Sequence, residues 1–159
     1  MIITQTVEYQ ELRKFEELIG GNVKIGGYDM DKISPVSEGQ CYKIHLQEPD
    51  ISRLYLLREP TFTNLTFHKD YLLAGLNSDE AAKLDRVKYW LNKSLDLRLS
   101  PEWSPIFVSR NIENSPIVTI DGNHRLMAHF LQHGKIQELN GYLFVHPSIE
   151  KWGFMPSLL

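Results

Sequence analysis

Between residues 121 and 125 the chain reads Asp121-Gly122-Asn123-His124-Arg125, a run whose residue types suit the holding of an anion. The glycine lets the backbone turn sharply without a Cβ penalty, so that amides after it can point outward where a helix begins. Such a helix start carries roughly half a positive charge. Arg125 and His124 can place side-chain charges beside it, an arrangement suited to phosphate. Asp121 is an acceptor at the rim. A carboxylate beside bound phosphates holds a divalent metal ion or takes a proton from an attacking hydroxyl, which points to chemistry beyond plain binding. The bland alternative is a tight Asp-Gly turn with Arg125 solvated on an ordinary helix.

That geometry needs a strand before the run and a helix after it. Ile117-Val118-Thr119-Ile120 is a short apolar run. After Gly122 the pattern changes to a helical period, with Leu126, Met127, Phe130 and Leu131 on one face and Gly134 where a C-cap glycine belongs. Ile106-Phe107-Val108 precedes it across a polar connection of hairpin size, Ser109 to Pro116, which predicts a strand pair. Upstream, Asn77-Ser78-Asp79-Glu80 reads as a helix start with Ser78 as N-cap. Leu84, Val87, Trp90, Leu91 and Leu95 then predict a helix from 78 to about 96, ended before Pro101 and Pro105. Cys41 to Leu46, Arg53 to Leu57 and Tyr142 to Val145 read as strands. Leu12, Phe15, Leu18 and Ile19 predict a short helix over residues 8 to 19, and residues 22 to 39 read as turns and irregular structure.

Other residues invite chemistry with less support. His129 and His133 lie four apart on one helix, a metal-chelating spacing when further ligands converge. No Glu follows His129 directly, so the zinc-protease pattern is absent and a surface or half-buried pair is the better reading. Tyr89, Trp90, Trp103 and Trp152 are the aromatic side chains that base stacking would use, but Trp90 is in phase with Leu84, Val87 and Leu91 and reads as core. Arg58-Glu59-Pro60 follows a strand and offers a second charged group to the site or a surface turn. His68, Lys69 and Asp70 fall in a polar connection of the kind that forms lids, or merely stays solvated.

The chain has 159 residues, 42% of them hydrophobic, which is enough for one core and too little for two comfortable domains. With 17 basic against 20 acidic residues the formal net charge is -3, so no overall field draws in a nucleic-acid backbone or an anionic membrane, and an anion site must be local. The single cysteine, Cys41, excludes an intramolecular disulfide and a Cys-rich metal site, and suits a reducing compartment. No apolar run approaches the ~20 residues of a membrane span, and the first residues lack the form of a signal peptide. A soluble, cytoplasmic protein is expected.

At Gly122, Arg125 and Ala128 the chain resembles the ParB/sulfiredoxin superfamily, whose members share a strand, a Gly-x-x-Arg turn and a helix with a small residue three positions after the arginine. The helix ending at Leu95 to Leu99, the strand over Pro105 to Val108 and the strand over Ile117 to Ile120 fall in that family's order, so the resemblance covers about residues 78 to 146. It implies a turn that binds nucleotide phosphates, used in different branches for CTP-switched DNA clamps, sulfinic acid reduction or phosphorylation of free serine. Sulfiredoxins carry a cysteine directly before His-Arg; Asn123 stands there, so sulfinate reduction is not expected. DNA-partitioning members add a helix-turn-helix region and a second arginine-bearing motif. Here about thirteen residues follow His146 and no arginine follows Arg125, so a complete partition clamp is not expected. Asp-Gly-x-His-Arg is closest to the free serine kinase branch.

The expectation is a single α/β (α+β) domain with a small mixed sheet flanked by helices, residues 1–50 forming an N-terminal extension packed on a ParB/sulfiredoxin-like domain of residues 51–159. In it Gly122 and the backbone amides of Asn123 and His124 cradle the phosphates of a nucleoside di- or triphosphate. Arg125 neutralises charge developing on transfer, and Asp121 positions Mg²⁺ or acts as base, with His124 sharing either task. The partner implied is a nucleotide, with a small-molecule or protein acceptor, in a phosphotransferase or nucleotide hydrolase. The alternatives are a non-catalytic nucleotide-binding or DNA-associated regulatory module, and a ParB-like nuclease, which needs more carboxylates near the site than the sequence obviously supplies.

Overall fold

The computed structural model describes residues 1–8, 38–134 and 138–149. The helix expected over residues 8 to 19, nearly all of the irregular segment over 22 to 39, and Trp152 lie outside the described residues. The described chain forms a mixed α/β domain around a six-stranded sheet. Its strands are β1 (Ile2–Thr6), β2 (Gln40–Leu46), β3 (Leu54–Tyr55), β4 (Ile106–Ser109), β5 (Ile117–Asp121) and β6 (Leu139–Val145). Their order across the sheet is β1-β2-β6-β4-β5-β3. β4 pairs with β6, and β3 with β5, in parallel; the other neighbours are antiparallel. The strand pair β4–β5 forms as the sequence predicts.

The helices are α1 (Glu48–Ile51), α2 (Ser78–Ala81), α3 (Asp85–Asn92) and α4 (Asn123–His133). In β2 Ile44 and Leu46 are buried on one face and Cys41 on the other. In β5 every residue from Ile117 to Ile120 is buried, as befits an interior strand, and Asp121 emerges at its end. α4 carries the chain from β5 past β4 to β6, burying Leu126, Met127, Ala128 and Phe130. It closes at Gly134, φ 95°, whose amide donates to the Phe130 carbonyl. α3 lies against α4 with Val87 buried. Among the described residues no helix is long and apolar enough to cross a membrane.

Arg53 ties the β4–β5 connection down. Its guanidinium donates to the carbonyls of Ile112 (2.6 Å) and Ser115 (2.7 Å) and pairs with Asp50. Asn111 organises the same connection, its Oδ1 accepting from the amides of Glu113 and Asn114.

Three expectations need correction. The helix predicted over 78–96 is two helices and an irregular segment. Leu84 is extended (φ -71°, ψ 129°), breaking α2 from α3, and the chain leaves the helix near Ser94, φ 52°. Leu95 and Leu97 are buried from a non-helical segment, so apolar spacing that mimicked one helix face came from separate elements meeting one core. The N-cap of α2 is Asn77, not Ser78, because the Asn77 side chain accepts from the Glu80 amide. The strand read over Arg53 to Leu57 shortens to Leu54–Tyr55. Beyond it the Leu56 amide donates to the Tyr71 carbonyl and the Leu57 amide to the Asn123 side chain, so neither joins a ladder.

Candidate functional site

β5 ends at Asp121, and Gly122 turns the chain through the left-handed region (φ 87°, ψ 20°) into α4. A side chain at 122 would be strained by that backbone angle and would press on the Arg125 guanidinium and on Pro105, 3.2 Å from its Cα. The first intrahelical bond runs from the Leu126 amide to the Gly122 carbonyl (2.8 Å), and no side chain caps the turn. The amides of Asn123, His124 and Arg125 therefore precede the ladder, without intrahelical acceptors, at the positive end of the helix dipole. The residues that carry them line a cleft of about 460 Å³ together with Asp121 and Gly122.

Asn123 contributes differently from its neighbours. Its buried side chain accepts from the Leu57 amide (2.9 Å) and donates to the Thr119 carbonyl (3.2 Å), so the carboxamide belongs to the scaffold and only its backbone amide is left for a ligand. Arg125 is largely buried, and its guanidinium meets the Asp121 carboxylate at 2.7 Å. It also lies 6.0 Å from the ring centres of both Trp90 and Trp103, where the aromatic faces favour a cation.

His124 packs edge-on against Phe62, ring centres 5.5 Å apart. Burial, reinforced by the positive charge of Arg86 and only partly opposed by Glu59, lowers its pKa below the ordinary histidine value. At neutral pH the imidazole is uncharged, so the side-chain positive charge of this cleft comes from Arg125 and Arg86 and not from His124. Glu59, whose carboxylate accepts from the Thr61 hydroxyl, lines the wall opposite Arg86 in sign.

All five residues singled out at 121–125 thus share one cleft. Glu59 joins them, whereas its neighbour Arg58 is exposed and does not line it. Trp90, half-buried, packs against the core as its spacing predicts and also lines the cleft, and Trp103 lines it as well. His68, Lys69 and Asp70 are exposed and stand apart from the cleft lining. The sequence reading missed Arg86, Phe62 and Leu57. For Arg86 a signal existed, because it stands four residues before Trp90, on the same helix face.

A second polar cluster sits farther along α4. The donor atoms of Asp96, His129 and His133 lie within 4.8 Å of one another, adding a third residue to the histidine pair noted from its spacing. In this arrangement each is already engaged. His129 Nδ1 accepts from the Leu97 amide (3.1 Å), and His133 Nε2 donates to the Leu95 carbonyl (3.1 Å). Asp96 holds the Arg98 guanidinium through both oxygens, at 2.9 and 2.7 Å, and that pairing keeps its carboxyl far below the usual range. His129 is fully buried and its Nε2 has no partner among the described residues. Burial, with the neighbouring His133 charge, lowers its pKa to about 4. The pair of histidines thereby clamps the 95–97 segment onto α4.

Compared with family models, with curated proteins and with solved structures, the chain matches none.

Proposed function

We propose that this is a nucleotide-phosphate-binding domain of ParB/sulfiredoxin-like kind, acting as a phosphotransferase or nucleotide hydrolase at the α4 cleft. The observation that carries the reading is the coincidence, at one uncapped helix start, of free-standing amides, the Arg125 guanidinium and a neutral His124. Amides and guanidinium supply preorganised donors for the oxygens of a transferring phosphoryl group. His124, uncharged and flanked by Glu59, is equipped to accept the proton of an attacking hydroxyl while the new O–P bond forms and the bridging O–P bond breaks. Glu59 then steadies the imidazolium.

Asp121 and Glu59 are the carboxylates lining the cleft, oxygen donors of the kind Mg²⁺ takes alongside substrate phosphates. Such an ion would supply charge neutralisation between phosphates. Asp121 is at present bonded to Arg125, so a phosphate that draws Arg125 away also releases Asp121.

That same bridge favours a second reading, a non-catalytic nucleotide-binding module in which Asp121 only orients Arg125. The two separate on incubation with ATP, ADP, CTP or GTP and Mg²⁺. An enzyme turns over nucleotide, and His124→Ala abolishes turnover while binding persists; a module binds without turnover. Absence of binding to every nucleotide overturns both.

A further inference from the structure

We propose that the ligand of this cleft is a terminal phosphate of a single-stranded oligonucleotide, whose following bases stack along an aromatic ladder formed by Trp103, Trp90 and Tyr89. The inference rests on the phosphate-socket reading above and extends it outward along α3. Trp103 and Trp90 meet at 5.0 Å between ring centres, and Trp90 and Tyr89 at 5.1 Å. The ladder begins at Arg125 inside the cleft and ends outside it, for Tyr89 does not line the cleft and is 53% exposed.

Helix geometry divides the ladder into two units. Arg86 and Trp90, four apart, both line the cleft, while Tyr89 and Lys93, also four apart, occupy the adjacent face. Lys93 Nζ sits 5.0 Å from the centre of the Tyr89 ring. With Arg125 over the Trp90 ring and Lys93 over the Tyr89 ring, each unit joins an aromatic face to a cation, the combination with which proteins hold one nucleotide of a single strand. A mononucleotide uses only the inner unit. The outer unit has a purpose for a second base and its phosphate.

Local charge agrees, since residues 85 to 93 carry Arg86, Lys88 and Lys93 against Asp85 alone, although the whole chain is acidic. Trp103 is 41% exposed, so the ladder presents aromatic surface to solvent at both of its ends.

The test measures binding by the full chain of thymidine 5′-monophosphate, of a thymidine tetranucleotide with a 5′- or a 3′-phosphate, and of the same tetranucleotide without terminal phosphate, followed by tryptophan fluorescence. One of the phosphorylated tetranucleotides should bind at least about tenfold more tightly than the mononucleotide, the increment expected of one added stacked base. Removing the terminal phosphate should lose most of the affinity. Tyr89→Ala and Lys93→Ala, both at exposed positions, should abolish the tetranucleotide's advantage and leave mononucleotide binding within about twofold. Equal affinity for mononucleotide and tetranucleotides, or no effect of Tyr89→Ala on the tetranucleotide, overturns the inference while the phosphate socket stands. If none of these ligands binds, the inference falls, and the phosphate socket falls with it only when ATP, ADP, CTP and GTP with Mg²⁺ also fail to bind.

Discussion

Helix α4 has a polar cluster at each end, and the two are built to opposite ends. At its start, amides, Arg125 and His124 face a cleft, and the bonds that exist there leave donors to spare. Toward its close, His129, His133 and Asp96 are tied to the Leu95 carbonyl, the Leu97 amide and Arg98. Titratable residues at helical spacing are thus equally consistent with a site and with a clamp. The difference lies in whether the chain itself already supplies their partners.

If that division is right, damage to the two clusters registers in different measurements. His129→Ala removes a fully buried side chain and strands the Leu97 amide, so it should cost about 3–4 kcal/mol of unfolding free energy, read from the denaturant midpoint, without altering nucleotide affinity. The clamp also sets an acid limb. His129 is neutral in the fold down to about pH 4 but takes a proton in the unfolded chain near 6.5. Its contribution to stability is therefore whole above pH 6.5 and declines as pH falls toward 4, on the order of 3 kcal/mol in all. His45, whose pKa is raised by its bonds to Asn140 and Glu138, acts in the reverse sense, but it is partly exposed and solvent screening weakens it. A stability profile of His129→Gln lacking this decline would confirm the assignment; an unchanged profile would refute it.

At the other end, Arg125→Ala should weaken nucleotide binding by about 10- to 100-fold, the weight of a charge-assisted contact, in a calorimetric titration, with stability changed much less than in His129→Ala. The smallest effect is the most discriminating. Asp121→Asn frees Arg125 from its carboxylate, so inorganic phosphate without metal should bind about threefold more tightly, even as any turnover needing the carboxylate is lost. Weaker phosphate binding in that variant would mean that Asp121 orients Arg125 instead of competing for it.

Much of this contrast was open to reading in the chain, and what was not has a physical cause. Gly122, Arg125 and the face of α4 were legible because the turn, the Asp121 to Arg125 pair and the helical period all sit within a short continuous stretch. The two histidines were legible as a pair, but Asp96 and the Leu97 amide reach them only through folding. The scaffold role of the Asn123 carboxamide was hidden, since its partner Leu57 is 66 positions away. The breaks at Leu84 and Ser94 were hidden, because buried loops and helices present apolar residues to a core at similar intervals. Phe62 comes to the cleft from a separate segment that no local pattern joins to it, and Arg86 is signalled only by its spacing from Trp90.

The carboxamide of Asn123 has a consequence of its own. By bridging Leu57 to Thr119 it fastens the segment leading to Glu59 and Phe62 onto the strand and turn beneath. Wall and floor of the cleft then behave as one rigid body, their ordering completed when the chain folds and not when a ligand arrives. Association should consequently be set by electrostatic steering and diffusion, with no slow rearrangement to wait for, and Leu57 should rank among the amides slowest to exchange with solvent.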